Sequence, residues 1–314
     1  MAPVTVVGAG VIGLSVAHEL ASAGHHVRVI ADVDTPDTVS AVAAALWFPF
    51  HAALAAEVPD LLAPSFQRFA ALAEDPGTGV RMSEGVVLER TDTPDRAWAH
   101  GLPDVREATR SQLRGGASSG LVATLPMIEI PQYLPWLRTQ TARLGVEFER
   151  RRIQALDELT GPVVIAAGLR GSDLLDDEES TSPVRGQIVR VANPGLTRWV
   201  TDDGNPDGLT YVFPRISDVV VGGIAVESDD VGIDAQTQAD ILRRACALVP
   251  ELAGQPVLGA AAGLRPARPT VRIEAVPRHR LAGRADPVIA AYGHGGAGVT
   301  LSWGTAAYVR DLLA

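Results

Sequence analysis

Val4-Thr5-Val6-Val7-Gly8-Ala9-Gly10-Val11-Ile12-Gly13 stands at the start of the chain and decides its fold class. The first four residues form a short apolar run of the kind that makes a buried parallel strand. The apolar positions that follow (Ile12, Val16, Leu20) recur at helical spacing up to Ala23. Between strand and helix, Gly8 permits a tight turn and Gly10 lets backbone N–H groups approach a pyrophosphate. Gly13 lets the helix pack closely on the strand. The helix N-terminus at Val11 and Ile12 offers unpaired N–H donors and a positive dipole end to phosphates. Gly24 ends the helix and Val27–Ala31 reads as a second strand. Asp32 then follows the glycines by roughly 20 residues, where an acid bonds a ribose hydroxyl. Strand, helix, strand and acid together point to an α/β, Rossmann-like dinucleotide-binding unit.

A second glycine-rich stretch, Tyr292-Gly293-His294-Gly295-Gly296-Ala297-Gly298-Val299-Thr300, answers the first from the other end of the chain. Its glycines expose peptide N–H and C=O groups that no side chain shields. Two such loops suggest that both ends of the chain meet one ligand, as a dinucleotide with a reactive ring at its far end requires. His294 lacks an obvious carboxylate or cysteine partner nearby, so it reads as structural or ligand-contacting rather than as an acid or base.

At 314 residues, with 46% hydrophobic and 20% charged residues, the chain has the composition of a soluble globular protein. A formal charge of −10 argues against nucleic acid as a partner, because phosphate binding needs clustered Lys and Arg. No apolar run reaches the ~20 residues of a membrane span. Met1 runs at once into a core strand, which leaves no room for a signal peptide. The single cysteine, Cys246, lies in an apolar helical run and reads as an inert thiol. The seven histidines are scattered, so no metal site is expected. These features together suggest a cytoplasmic protein.

The remaining elements follow from pattern. Helices are expected over 64–74, 131–144, 235–249 and 299–313, and buried strands over 146–149, 163–166 and 288–292. From Val184 the apolar period changes to two, as in antiparallel strands. Residues 76–126 are rich in Gly, Pro and Thr, with only short strand-like runs such as Gly85-Val86-Val87-Leu88. The nucleotide-binding domain is therefore expected to be discontinuous, built from residues 1–50, 145–184 and 263–314. A strand-rich substrate-binding domain (51–144 and 185–262) is inserted between its pieces. Such a join leaves a cleft, a common place for a ligand.

Two further segments carry chemistry. In Gly263-Leu264-Arg265-Pro266-Ala267-Arg268-Pro269 two prolines restrict the backbone and could hold an arginine in one pose, although a surface loop with solvated arginines fits as well. A fixed guanidinium is a bidentate partner for a carboxylate. In Leu209-Thr210-Tyr211-Val212-Phe213-Pro214 a tyrosine hydroxyl lies within an apolar strand, a position that core packing also explains.

Taken with Val42-Ala43-Ala44-Ala45-Leu46-Trp47 and Arg185-Gly186-Gln187-Ile188, these motifs resemble the D-amino-acid oxidase family of flavoproteins nearly end to end. The resemblance implies an FAD-binding domain and an oxidase that takes D-amino acids to imino acids. Hydride passes from Cα to flavin N5, O2 is reduced to H2O2, and the imino acid hydrolyses to a 2-oxo acid and ammonia. It implies that Arg265 clamps the substrate carboxylate, that Tyr211 bonds the same carboxylate, and that the Gly296 carbonyl holds the α-amino group. It further implies flavin contacts at Ala44, Ala45 and Leu46, at Ile153 and Gly168, and at Gly295, Gly296, Gly298, Val299 and Thr300. Val33, Ser40 and Arg265 complete the expected FAD-binding set with Gly8, Gly10, Val11, Ile12, Gly13 and Asp32.

The sequence departs from the family in two places. A tyrosine of the vertebrate lid is replaced by Asp207, in a short turn-like segment. Two arginines of the acidic-substrate branch correspond to Gly204 and Ala225, and Leu46-Trp47-Phe48-Pro49-Phe50 is apolar. Neutral substrates are expected. A glycine or small-amine oxidase, an acidic D-amino-acid oxidase and a non-catalytic flavin-binding protein are the alternatives. The oligomeric state stays open.

Overall fold

The computed structural model describes residues 2–50, 54, 60–281 and 283–314. Its opening unit is β1 (Val4–Val7), α1 (Val11–Ser22) and β2 (Val27–Ala31). β1 is wholly buried, and Val16, Ala17 and Leu20 of α1 close over Val4 and Val6 in one apolar cluster. Next come α2 (Leu62–Leu72), β3 (Val80–Glu89), β4 (Arg106–Glu107), β5 (Ser119–Ile128) and α3 (Ile130–Arg143). Pro131 sits in the first turn of α3 and Gly145, at φ +85°, follows its end. β6 (Glu147–Arg150), β7 (Val163–Ile165) and the single turn α4 (Gly171–Leu174) complete the first half.

The second half holds β8 (Ser182–Val191), β9 (Trp199–Asp202), β10 (Thr210–Pro214), β11 (Val219–Gly222) and β12 (Val226–Glu227). It ends with α5 (Ala235–Leu248), β13 (Val257–Ala275), β14 (Val288–His294) and α6 (Gly298–Leu312). Asp234 caps α5, its side chain accepting from the Thr237 N–H at 2.6 Å.

All strands join one sheet in the order β4-β5-β3-β9-β10-β11-β8-β13-β14-β7-β1-β2-β6, with β12 against β8. β14, β7, β1, β2 and β6 pair in parallel. Beyond β14 the pairing is antiparallel, apart from the parallel β3–β9 pair. β13 is the hinge piece: its 19 residues pair first with β8 and then, from Ala267, with β14. The parallel strands come from three separated stretches of chain, as a discontinuous nucleotide-binding unit requires.

The sheet corrects the sequence reading in three respects. Residues 76–126 hold β3 and most of β5, two ten-residue strands paired along their whole length. Gly85 interrupts the apolar pattern of β3 because Trp199 lies against its backbone; a Cβ there would stand 2.0 Å from Trp199 Cδ2. Gly263–Pro269 is not a loop but the middle of β13, with Pro266 facing Pro183 across the ladder. The boundaries expected at 184/185 and 262/263 fall inside β8 and β13, and residue 51, at the boundary after 50, lies outside the described residues.

Candidate active site

A cavity of about 480 Å³ opens at the carboxyl ends of the parallel strands. Gly8 after β1, Asp32 after β2, Ala166 after β7 and His294 at the end of β14 all line it, the usual place for a ligand in such a sheet. The cavity continues along the antiparallel part, past Gly186 and Ile188 of β8, Tyr211 and Phe213 of β10, and Arg265 of β13. The two glycine loops therefore border one space.

Every residue singled out for the site lines this cavity except Gly13. Gly13 is needed for packing: a Cβ there would stand 2.0 Å from the Gly8 carbonyl oxygen, so the first turn of α1 could not approach β1. Gly8 itself has φ +118°, with the Ala166 carbonyl where a side chain would go. The N-terminus of α1 has no side-chain cap at Gly10, but the Val11 N–H donates to Ser40 Oγ at 2.9 Å. Asp32 and Arg170 approach to 3.7 Å, and Arg170 also donates to the Ile153 carbonyl.

The loop containing Ala44, Ala45 and Leu46 hangs from β5. Ala45 takes φ +57°, and its carbonyl accepts from the Ile128 N–H at 2.9 Å. Farther along, the Phe48 carbonyl accepts from Thr300 Oγ1 at 2.8 Å, so the Thr300 hydroxyl is joined to this loop. His294 is buried, its Nε2 is 3.0 Å from Thr305 Oγ1, and burial pushes its pKa down to about 3. It is a neutral structural residue at ordinary pH.

Arg265 and Tyr211 converge because two glycines make room for them. Arg265 Nη1 donates to the Ile224 carbonyl at 2.9 Å. Its guanidinium lies over Gly186, where a Cβ would stand 2.5 Å from Nη2. Tyr211 pairs with Gly222 across the ladder, and its ring lies where a Gly222 side chain would be. The Tyr211 ring stacks on Phe213 with centroids 4.6 Å apart. Burial raises the Tyr211 pKa, so the hydroxyl stays protonated and can donate. Arg268, three residues beyond Arg265, faces the other way. It bonds Asp177 at 3.4 Å and Glu179 at 2.6 Å, in a cluster with Arg272, Arg280 and Tyr292.

The family of FAD dependent oxidoreductases (DAO) matches the chain over residues 3–312. The chain belongs to this family. A D-amino-acid oxidase of Rubrobacter xylanophilus is 43% identical over 311 residues, covering 98% of this chain and 94% of that protein. One of Streptomyces coelicolor is 40% identical over 310 residues, covering 96% and 94%. A human D-aspartate oxidase is 34% identical over 325 residues, covering 97% and 92%. Among solved structures, glycine oxidase from Geobacillus kaustophilus has the same fold, with a TM-score of 0.82 at 22% identity over 99% of this chain and 94% of that one.

The cavity fits the FAD of this family. It is lined at one part by the N-terminus of α1 and by glycines that bar side chains, with the acid Asp32 after the second strand, and at another by Tyr211, Arg265 and the second glycine loop. No described helix is long and apolar enough to cross a membrane. No group of three His, Cys, Asp or Glu among the described residues could hold a metal.

Sequence reasoning missed part of the flavoprotein's cavity. Gly204 and Ala225 do not line it, and the hairpin residue that does is Asp203. Gly204 instead faces the Arg90 side chain, and Asp207 forms an exposed pair with Arg243 at 3.1 Å. Phe48, Phe50, Thr201, Leu209 and Phe213 also line the cavity. No local signal marked Asp203, whose place beside Thr201 depends on the turn that follows β9.

Proposed function

We propose that this FAD-dependent enzyme oxidatively deaminates neutral D-amino acids, giving a 2-oxo acid, ammonia and H2O2. The observation that carries the reading is the convergence of Arg265 and Tyr211 on the cavity, over Gly186 and Gly222. The identities of 43% and 40% to D-amino-acid oxidases over almost the full chain support it independently.

Arg265 would bind the substrate carboxylate with its planar fork, which the Ile224 carbonyl orients. The protonated Tyr211 hydroxyl would donate to the same carboxylate. The Gly296 carbonyl would accept from the α-amino group. These contacts leave only one enantiomer with its Cα–H toward the electron acceptor. Orientation of this kind can supply roughly 7–11 kcal/mol of barrier lowering. Phe48, Phe50, Leu209 and Phe213 exclude water and suit an apolar substrate side chain. FAD held in this cavity would supply the acceptor for the Cα hydride and the route of the two electrons to O2.

Gly8, Gly10, Val11, Ile12 and Ser40 would hold the pyrophosphate, and Asp32 with Val33 the ribose. Ala44–Leu46, Ile153, Gly168 and Gly295–Thr300 would hold the rest of the cofactor. We assign the parallel strands to an FAD domain, the antiparallel part to a substrate domain, and the protein to the cytoplasm. The experiment is a flavin spectrum of the purified protein followed by H2O2 release with D- and L-amino acids. A yellow protein releasing peroxide with neutral D-amino acids and not with their L-enantiomers is expected; a preference for glycine, D-aspartate or L-enantiomers overturns the reading.

A further inference from the structure

The substrate end of the cavity contains a carboxylate that the carboxylate clamp does not use. Thr201 lies directly opposite Tyr211 in the β9–β10 pair. Asp203 stands two residues after Thr201, in the turn that follows β9. The Thr201 hydroxyl donates to Asp203 Oδ1 at 2.7 Å, which orients the carboxylate on the face that carries the Tyr211 ring. Both Thr201 and Asp203 line the cavity, with Leu209 and Phe213 as apolar neighbours. The preceding residue, Asp202, points the other way, into a buried pair with Arg90. Asp203 also acts electrostatically on the Tyr211 hydroxyl with a sign opposite to that of Arg265. A substrate held here therefore meets both a cation, Arg265, and an anion, Asp203, in the part of the cavity that holds Tyr211.

We propose that Asp203 is a specificity-determining residue that favours D-amino acids with a cationic side chain and rejects those with an acidic one. The inference rests on the proposed function and names a further substrate class for that site. The methylenes of a long basic side chain would pack along Leu209 and Phe213, and its terminal ammonium would meet the Asp203 carboxylate. A second carboxylate at the same place would be desolvated beside a like charge.

The test compares wild type, Asp203→Asn and Asp203→Glu with D-lysine, with D-norleucine as its neutral counterpart of similar length, and with D-glutamate. We expect Asp203→Asn to lower the kcat/KM ratio of D-lysine to D-norleucine by about tenfold or more, with D-norleucine changed by less than about twofold. D-Glutamate should gain, and Asp203→Glu, which keeps the charge, should keep the D-lysine preference. An unchanged ratio overturns the inference alone. A parallel loss with all three substrates also overturns it, since that outcome marks a role toward the α-ammonium or in folding. A wild-type enzyme inert toward every D-amino acid overturns the proposed function, and this inference with it.

Discussion

At the scale of single residues, His294 shows how burial settles a role that the sequence left open. It lies in the glycine loop beside the cavity, yet its ring is buried against Thr305 and its pKa is pushed from 6.5 down to about 3. The unfolded chain takes up this proton near pH 6.5 and the folded protein only near 3. Between those values the unfolded state binds more protons, so stability falls as pH drops. The slope reaches about 1.4 kcal/mol per pH unit. Denaturant unfolding of wild type and His294→Gln from pH 7 to pH 4 checks this. The wild type should lose stability more steeply than the variant, and parallel curves would show that the imidazole titrates normally. Asp203 teaches the complementary lesson. The sequence reading aimed Gly204 at the substrate, one position away, and the turn after β9 sends Asp203 to the cavity and Gly204 to the Arg90 side chain.

At the scale of elements, the legible pieces are those whose chemistry is local. The β1–α1–β2 unit could be read because strand, turn and helix follow one another in sequence and Gly13 answers the nearby Gly8 carbonyl, although the Ala166 carbonyl that bars a side chain at Gly8 is remote. β13 could not, because its prolines suggested a break and its 19 residues gain their ladder only from distant β8 and β14. The pose of Arg265 depends on that pairing, since its guanidinium rests on the bare backbone of Gly186. Gly186→Ala should therefore reproduce much of an Arg265 defect without touching the arginine. A methyl 2.5 Å from Nη2 must push the guanidinium aside, and we expect KM for D-amino acids to rise about tenfold while FAD is retained. Steady-state kinetics on flavin-loaded protein decides it. A Gly186→Ala enzyme with wild-type KM would mean that the guanidinium can shift without cost to the site.

At the scale of the whole molecule, one continuous sheet carries a nucleotide-binding part and a substrate-binding part, with the cavity running across both. The sequence showed the two glycine loops, the tyrosine and the arginine, and most helices to within a few residues. It could not show that β8, β10 and β13 bring Gly186, Tyr211 and Arg265 together, because those pairings span tens of residues and leave no local trace. The central claim is that this convergence binds the carboxylate of a D-amino acid and so presents one enantiomer for oxidation. Arg265→Lys keeps a charge but loses the fork, and two charge-assisted bonds worth roughly 1.5–3 kcal/mol each are at stake. The most direct measurement is anaerobic stopped-flow mixing of the flavin-loaded wild type and Arg265→Lys with D- and L-methionine, followed in the flavin visible band. The wild type should bleach with D-methionine and not with L-methionine, and the variant should need about 10–100 times more D-methionine for half-maximal reduction. Bleaching by the L-enantiomer, or a variant with wild-type affinity and rate, would contradict the account.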